Sequence, residues 1–167
     1  MKKNLISLLI LIIILGCGYH FKGGGYLKSS DISNIYIKLF ENNTEVRGLE
    51  NTLTNALVYE YNVDKETSVT GEKEAQAILA GEIISYEVYT VAYGRGDYTA
   101  AGRIVLKIRA KLKRKGADVV WKNELTDQEE YMVSNDLTQT EKYRNEALRR
   151  IIQRMAERIH DQISLGF

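Results

Sequence analysis

Arg103, Lys107, Arg109, Lys111, Lys113 and Lys115 occupy odd-numbered positions of one segment, and no acidic residue occurs between Tyr98 and Ala117. In an extended chain alternate residues share a face and lie roughly 6.6–6.8 Å apart. The cations therefore form a line that can hold several phosphate-type anions, while Ile104, Leu106, Ile108, Ala110 and Leu112 form an apolar face behind it. Lys115-Gly116-Ala117-Asp118 suits a tight turn. With Gly116 and Ala117 as its central residues, Leu112 meets Trp121, Ile108 meets Leu125, Arg109 meets Glu124, Lys111 meets Lys122, and Asn123 falls opposite Ala110 as the one misfit. That register places the lone Trp in the core. Like charges directly opposite each other are destabilising, so the Lys111/Lys122 pair hints at an anionic partner. A solvated face whose charges are offset by neighbouring strands fits the same residues, and both readings stay open.

Other chemistry is thinly represented. The histidines are His20 and His160, with no metal-type spacing and no cysteine beside them. His160 falls on the edge of an apolar helical stripe, where packing is the expected role. No Gly-x-Ser-x-Gly turn presents a nucleophile, and Gly94-x-Gly96 lacks the third glycine of a dinucleotide loop. Glu129 and Glu130 are adjacent, so on a strand they point to opposite faces. The chain is expected to be no enzyme, with no metal and no cofactor. Its net charge of +1 over 167 residues gives no global bias toward nucleic acid.

The single cysteine, Cys17, ends a leader. Met1-Lys2-Lys3 is a short positive start and Leu5 to Leu15 an apolar run broken by Ser7, the shape of a secretory signal. Such a run rises roughly 16 Å as a helix, about half the hydrocarbon thickness of a bilayer, so it serves export rather than anchoring. Ile14-Leu15-Gly16-Cys17 resembles a bacterial lipobox, which makes Cys17 the expected lipidation site. A multiply acylated N-terminus holds a protein on a membrane. Gly18 rather than Asp follows the cysteine, which points to the outer membrane. The expected organisation is a signal peptide at 1–16, a lipid tether and N-terminal segment at 17–33, and a single domain at 34–167.

The elements that must position the basic line read as α+β. Asn34 to Phe40 alternates like a strand. Asn43 or Thr44 is the expected cap of a helix carrying Val46, Leu49, Leu53, Ala56 and Leu57. Residues 62–74 read as a loop with a short extended piece near Thr67 to Thr70. Ala77 to Tyr93 reads as a long strand bulged at Gly81, Gly94-Arg95-Gly96-Asp97 as a turn, and a final strand continues raggedly to Tyr131. Thr138-Gln139-Thr140-Glu141 has the form of a capping box opening a helix with Ala147, Leu148, Ile151, Ile152, Met155, Ile159 and Ile163 on one stripe. The expected order is β-α-β-β-β-α: a mostly antiparallel four-stranded sheet with two amphipathic helices on one face.

Cys17-Gly18-Tyr19-His20-Phe21-Lys22-Gly23 resembles the start of mature lipopolysaccharide-assembly lipoproteins of the LptE type. The element order, Val120-Trp121, Tyr131 and the Thr140-Glu141 start of the last helix are similar to that family across nearly the whole mature chain. The resemblance implies a non-enzymatic outer-membrane lipoprotein on the periplasmic side. Such a subunit plugs the β-barrel lipopolysaccharide translocon, assists its assembly and contacts lipopolysaccharide. No family contact residue maps onto this chain one by one. Arg103, Lys107, Arg109, Lys111 and Lys113 are the lipopolysaccharide-binding candidates on their own merits, and Tyr86, Tyr89, Tyr93 and Tyr98 are candidates for barrel contacts. The alternative is a lipid-anchored scaffold subunit of another envelope secretion or pilus machine.

Overall fold

The structure, a computed structural model, describes residues 32–93 and 99–165. Cys17, His20, Tyr98 and the 94–97 turn lie outside the described residues.

Along the chain run β1 (Asn34–Ile37), β2 (Glu41–Asn42), α1 (Leu49–Asp64), β3 (Ser68–Val69), β4 (Ala77–Tyr93), β5 (Thr99–Arg114), β6 (Val119–Met132) and α2 (Leu137–Ser164). They form one sheet in the order β3-β1-β4-β5-β6, with β2 also paired to β4. The β4-β5-β6 meander is antiparallel, whereas β1 lies parallel to both β3 and β4, and β2 parallel to β4. The fold class is α+β as the periodicity implied, but the sheet is mixed and six-stranded rather than mostly antiparallel and four-stranded. The difference lies in β2 and β3, which at two residues each are too short to show an alternation.

Both helices cover one face. α1 packs on the β1 side and α2 over β5 and β6, and the two helices contact each other. The core between the layers takes Leu49, Leu53, Leu57 and Tyr61 from α1 and Ala147, Ile151, Ile152, Met155, Ala156, Ile159 and Ile163 from α2. The sheet supplies Leu79, Ile83, Ile104, Leu106, Ile108, Ala110, Leu112 and Leu125. A fully buried Leu or Ile contributes about 1.5–3 kcal/mol relative to exposure. From Gly102 to Leu112 every second residue of β5 is buried, so the alternation fixes which face is open.

Several local expectations are corrected. α1 begins at Leu49 behind Gly48 in a left-handed conformation, not at Asn43 or Thr44. Those residues instead close a turn: Thr44 N donates to Asn42 Oδ1 at 3.0 Å and Val46 N to Thr44 Oγ1 at 3.3 Å. α2 is capped by Asp136, whose carboxylate accepts from Thr138 N at 2.8 Å, so the capping-box Thr138 lies inside the first turn.

The bulge in β4 falls between Ile83 and Ser85, not at Gly81. Gly81 is where Phe40 crosses: a Cβ there would lie 2.3 Å from both Phe40 Cε1 and Arg109 O. That crossing separates β1 from β2.

The β5-β6 register is as read from the sequence, with Leu112 opposite Trp121, Ile108 opposite Leu125 and Lys111 opposite Lys122. The turn is shifted by one, since Ala117 N bonds Arg114 O at 3.1 Å and puts Lys115 and Gly116 at its centre. An irregularity beyond Leu112 absorbs the extra residue. Trp121 is half-buried against the core rather than within it. Asn123, the misfit, donates to Gln162 Oε1 of α2 at 2.7 Å.

Candidate anion-binding face

The open face of the sheet carries the predicted basic residues in rows fixed by strand register. Arg103 faces Tyr89 on one side and Glu130 on the other, and Arg109 lies between Glu82 and Glu124. Arg103 Nη2 stands 2.7 Å from Glu130 Oε1, Lys107 Nζ 2.6 Å from Glu124 Oε1, and Arg109 reaches Glu82 Oε1 at 2.5 Å and Glu124 Oε2 at 2.8 Å. Hydrogen bonds from Lys107 and then Arg109 hold the Glu124 carboxyl below its ordinary range. Those from Glu124 and then Glu82 push the Arg109 guanidinium higher. Arg103, Lys107 and Arg109 are thus compensated, and the free cationic line expected from β5 alone is shortened. Ion pairs this exposed contribute little to stability, because solvent and salt screen them.

Lys111 and Lys113 differ: neither forms an ion pair with a described residue. Lys111 faces Ala80 on β4 and Lys122 on β6. Lys38 N donates to Leu79 O at 2.9 Å, which continues the β1-β4 register and brings Lys38 beside Ala80. One row therefore reads Lys38, just past the end of β1, then Ala80, Lys111 and Lys122 on β4, β5 and β6. The next row reads Tyr36, Ile78, Lys113.

Between the rows lie two shallow hollows, one of about 270 Å³ bordered by Lys38, Gly81, Arg109, Lys111 and Lys122, the other of about 380 Å³ bordered by Tyr36, Ile78, Lys111 and Lys113. Glu41 and Glu72 stand on their rims without pairing to the lysines. Four ammonium groups around an Ala/Ile/Tyr floor can grip clustered anions while the floor takes an apolar surface. Lys122 was read only as the repelling partner of Lys111, and Lys38 was missed, because β1 is remote in sequence from the hairpin it joins.

Lys115 is spoken for, with Nζ donating to Lys73 O at 2.7 Å. Glu129 and Glu130 do point apart, the first to Arg150 and Arg154 of α2 and the second to Arg103. Tyr86 is packed against the core and Tyr89 is exposed.

His160 lies between the helix layers' ends. Its Nε2 is 3.2 Å from Asp64 Oδ2 of α1 and 3.3 Å from Ser164 Oγ, and Nδ1 is 3.3 Å from Asp161 Oδ1. Its ring meets Tyr61 edge-on at 4.8 Å. The contacts join α1 to α2, so this histidine clamps helices. No group of His, Cys, Asp or Glu among the described residues is placed to hold a metal ion, and no described helix is long and apolar enough to cross a membrane.

Fold and face together define a two-layer α+β domain whose helices cover one side of a mixed sheet and leave a cationic surface on the other. Residues 32–163 match the LptE family, described as lipopolysaccharide-assembly, and the chain belongs to that family. No curated protein matches the sequence.

Similar solved structures include a protein from Xanthomonas campestris (13% identity, TM-score 0.55, covering 80% of this chain and 85% of that one). A PelC dodecamer from Paraburkholderia phytofirmans aligns at 11% identity and TM-score 0.54, over 78% of this chain and 88% of that one. The rare lipoprotein B from Shewanella oneidensis aligns at 9% identity and TM-score 0.53, over 78% of this chain and 93% of that one. At such identities the likeness is one of fold. Membership of the family makes this a protein of lipopolysaccharide assembly, in a family of non-enzymatic lipoproteins.

Proposed function

We propose that the chain is an outer-membrane lipoprotein subunit of the lipopolysaccharide translocon. It is acylated at Cys17 after loss of residues 1–16 and held on the periplasmic side by the 17–33 tether. The domain from residue 34 plugs the β-barrel partner, assists its assembly and touches lipopolysaccharide with the open face of the sheet. The observation that carries this reading is the row Lys38, Lys111 and Lys122, with Lys113 beside it, none of which forms an ion pair with a described residue.

Lipopolysaccharide presents clustered anionic groups next to apolar chains, and the face presents clustered cations next to Tyr36, Ile78 and Ala80. Each solvated lysine contributes little alone, so recognition depends on their sum and weakens with salt. Arg103, Lys107 and Arg109, already neutralised, keep the strands in register and contribute less.

The test is binding of the purified full lipoprotein to lipopolysaccharide at low and high ionic strength. Replacing Lys38, Lys111, Lys113 and Lys122 together by Gln is expected to lower affinity by about tenfold or more, with a reduced salt response. Replacing Arg103, Lys107 and Arg109 by Gln should cost much less. Unchanged affinity in the folded lysine variant would overturn the assignment. Lipidation has its own check, metabolic labelling with a fatty acid, which Cys17→Ala should abolish.

A further inference from the structure

The parallel strands cover only the first part of β4. β1 pairs with Ala77 to Leu79 and β2 with Glu82 and Ile83, and among the described residues no strand pairs with that side of β4 from Ser85 to Tyr93. Leu79 and Ile83 turn their carbonyls outward, to Lys38 N at 2.9 Å and Asn43 N at 3.0 Å, and both lie opposite even-numbered residues of β5, Leu112 and Ile108. Past the bulge the even-numbered residues Leu106 and Ile104 lie opposite Tyr86 and Val88. By the alternation of an antiparallel ladder, Tyr86 and Val88 therefore present their N–H and C=O to the open side.

The other long edge, β6, is guarded. Arg154 of α2 donates to the Gln128 carbonyl at 3.2 Å while pairing with Asp127 and Glu129. Among the described residues the β4 edge has no such device. Ser85-Tyr86-Glu87-Val88-Tyr89-Thr90-Val91 contains no Lys, Arg or Pro and is rich in strand formers, and Val88 and Tyr89 are 43% and 49% exposed. Where β2 leaves off, Asn43, Val46, Ile84 and Tyr86 border a hollow of about 450 Å³ that opens onto this edge.

We propose that the β4 edge from Ser85 to Val91 docks an extended strand of a partner protein by sheet extension, with main-chain hydrogen bonds for affinity and the hollow receiving its first side chain. The edge carries one carboxylate, Glu87, and no cation. The fitting strand therefore brings a Lys or Arg opposite Glu87, which a second copy of this edge cannot supply. The proposal deepens the reading of the chain as a translocon subunit and rests on its having a protein partner.

The experiment places p-benzoylphenylalanine at Tyr89 of the full lipoprotein in intact cells and maps the cross-linked peptide. A control places it at Lys122, on the open face away from this edge. A cross-link from Tyr89 to one extended, cation-bearing segment of a different protein is expected, lost about tenfold in Val88→Pro, which removes an outward donor without breaking the β5 ladder.

If Val88→Pro loses its circular dichroism, Val88→Lys serves as a second variant that keeps the backbone donor but guards the edge. A cross-link to a second copy, to residues 18–31 of the same chain, to nothing, or one insensitive to either folded variant overturns the proposal. A mapped segment in a protein that is not a β-barrel upholds the edge and removes the barrel from the proposed function. Loss of lipopolysaccharide binding in the lysine variant with the cross-link intact separates the two sites.

Discussion

A methyl group is the largest change Gly81 has to refuse, and the geometry says it cannot take one. Arg109 O belongs to the β4-β5 ladder and Phe40 is buried, so neither can yield the space that a Cβ at 2.3 Å would need. Gly81→Ala should cost about 1–3 kcal/mol, read as a lower urea midpoint with unchanged slope. Tyr61 makes the opposite case. Its hydroxyl is buried with no hydrogen-bond partner, and burial, with Asp64 adding to it, pushes its ionisation well above the ordinary tyrosine range. A folded-state pKa raised above the unfolded value means stability is intact below the unfolded pKa, about 10, and is lost as pH climbs past it. Tyr61→Phe should therefore hold or gain about 1 kcal/mol at neutral pH and carry alkaline unfolding to higher pH, as followed by circular dichroism in urea at two pH values. An unchanged alkaline limb would mean that another group sets it. At this scale the sequence shows pairings only where one hairpin determines them. Lys111 opposite Lys122 follows from a turn, while Glu82 against Arg109 and Lys38 across Ala80 from Lys111 need the register of strands far away along the chain.

Which oxygen caps α2 is a matter of one turn, and the choice is measurable. Asp136 accepts from Thr138 N, whereas the Thr138 hydroxyl is exposed and makes no hydrogen bond with a described residue. Asp136→Ala is expected to cost about 0.5–2 kcal/mol of stability in thermal or urea unfolding, and Thr138→Ala to stay within about 0.5 kcal/mol. The reverse order would restore the capping box. Thr-x-x-Glu signals that a helix begins here but not which residue is the cap, because three side chains in this turn each accept from a different backbone donor: Thr140 from Ser134 N, Ser134 from Asp136 N and Asp136 from Thr138 N. β5 and α2 are legible because they repeat their buried positions often enough for the period to stand out, whereas β4 and β6, with few buried positions, are legible from their runs of strand formers and from the hairpin register to β5. β2 and β3 show no period at two residues each, and they add two parallel pairings to the one that β1 makes with β4. α1 was misplaced at its start because the stripe continues backward to Val46, which packs on the core from a turn rather than from the helix.

The buried cluster closes on itself between Ile35 and Ile163, drawing on both helices and on β1, β4, β5 and β6. The four lysines of the cationic face lie outside it, and of the β4 edge only Tyr86 packs against it, so binding and folding use largely different residues and can be lost separately. Removal of residues 1–31 should therefore leave a domain that unfolds in one cooperative step, since helices and sheet share a single core and neither layer can bury its apolar face without the other. Trp121, half-buried on β6 against that core, reports on the sheet, while circular dichroism at helical wavelengths reports on α1 and α2. Coincident urea transitions from the two signals are expected. Separated transitions would mean that the helix layer melts from the sheet, and a chain without either signal would mean that the N-terminal segment or a partner completes the core.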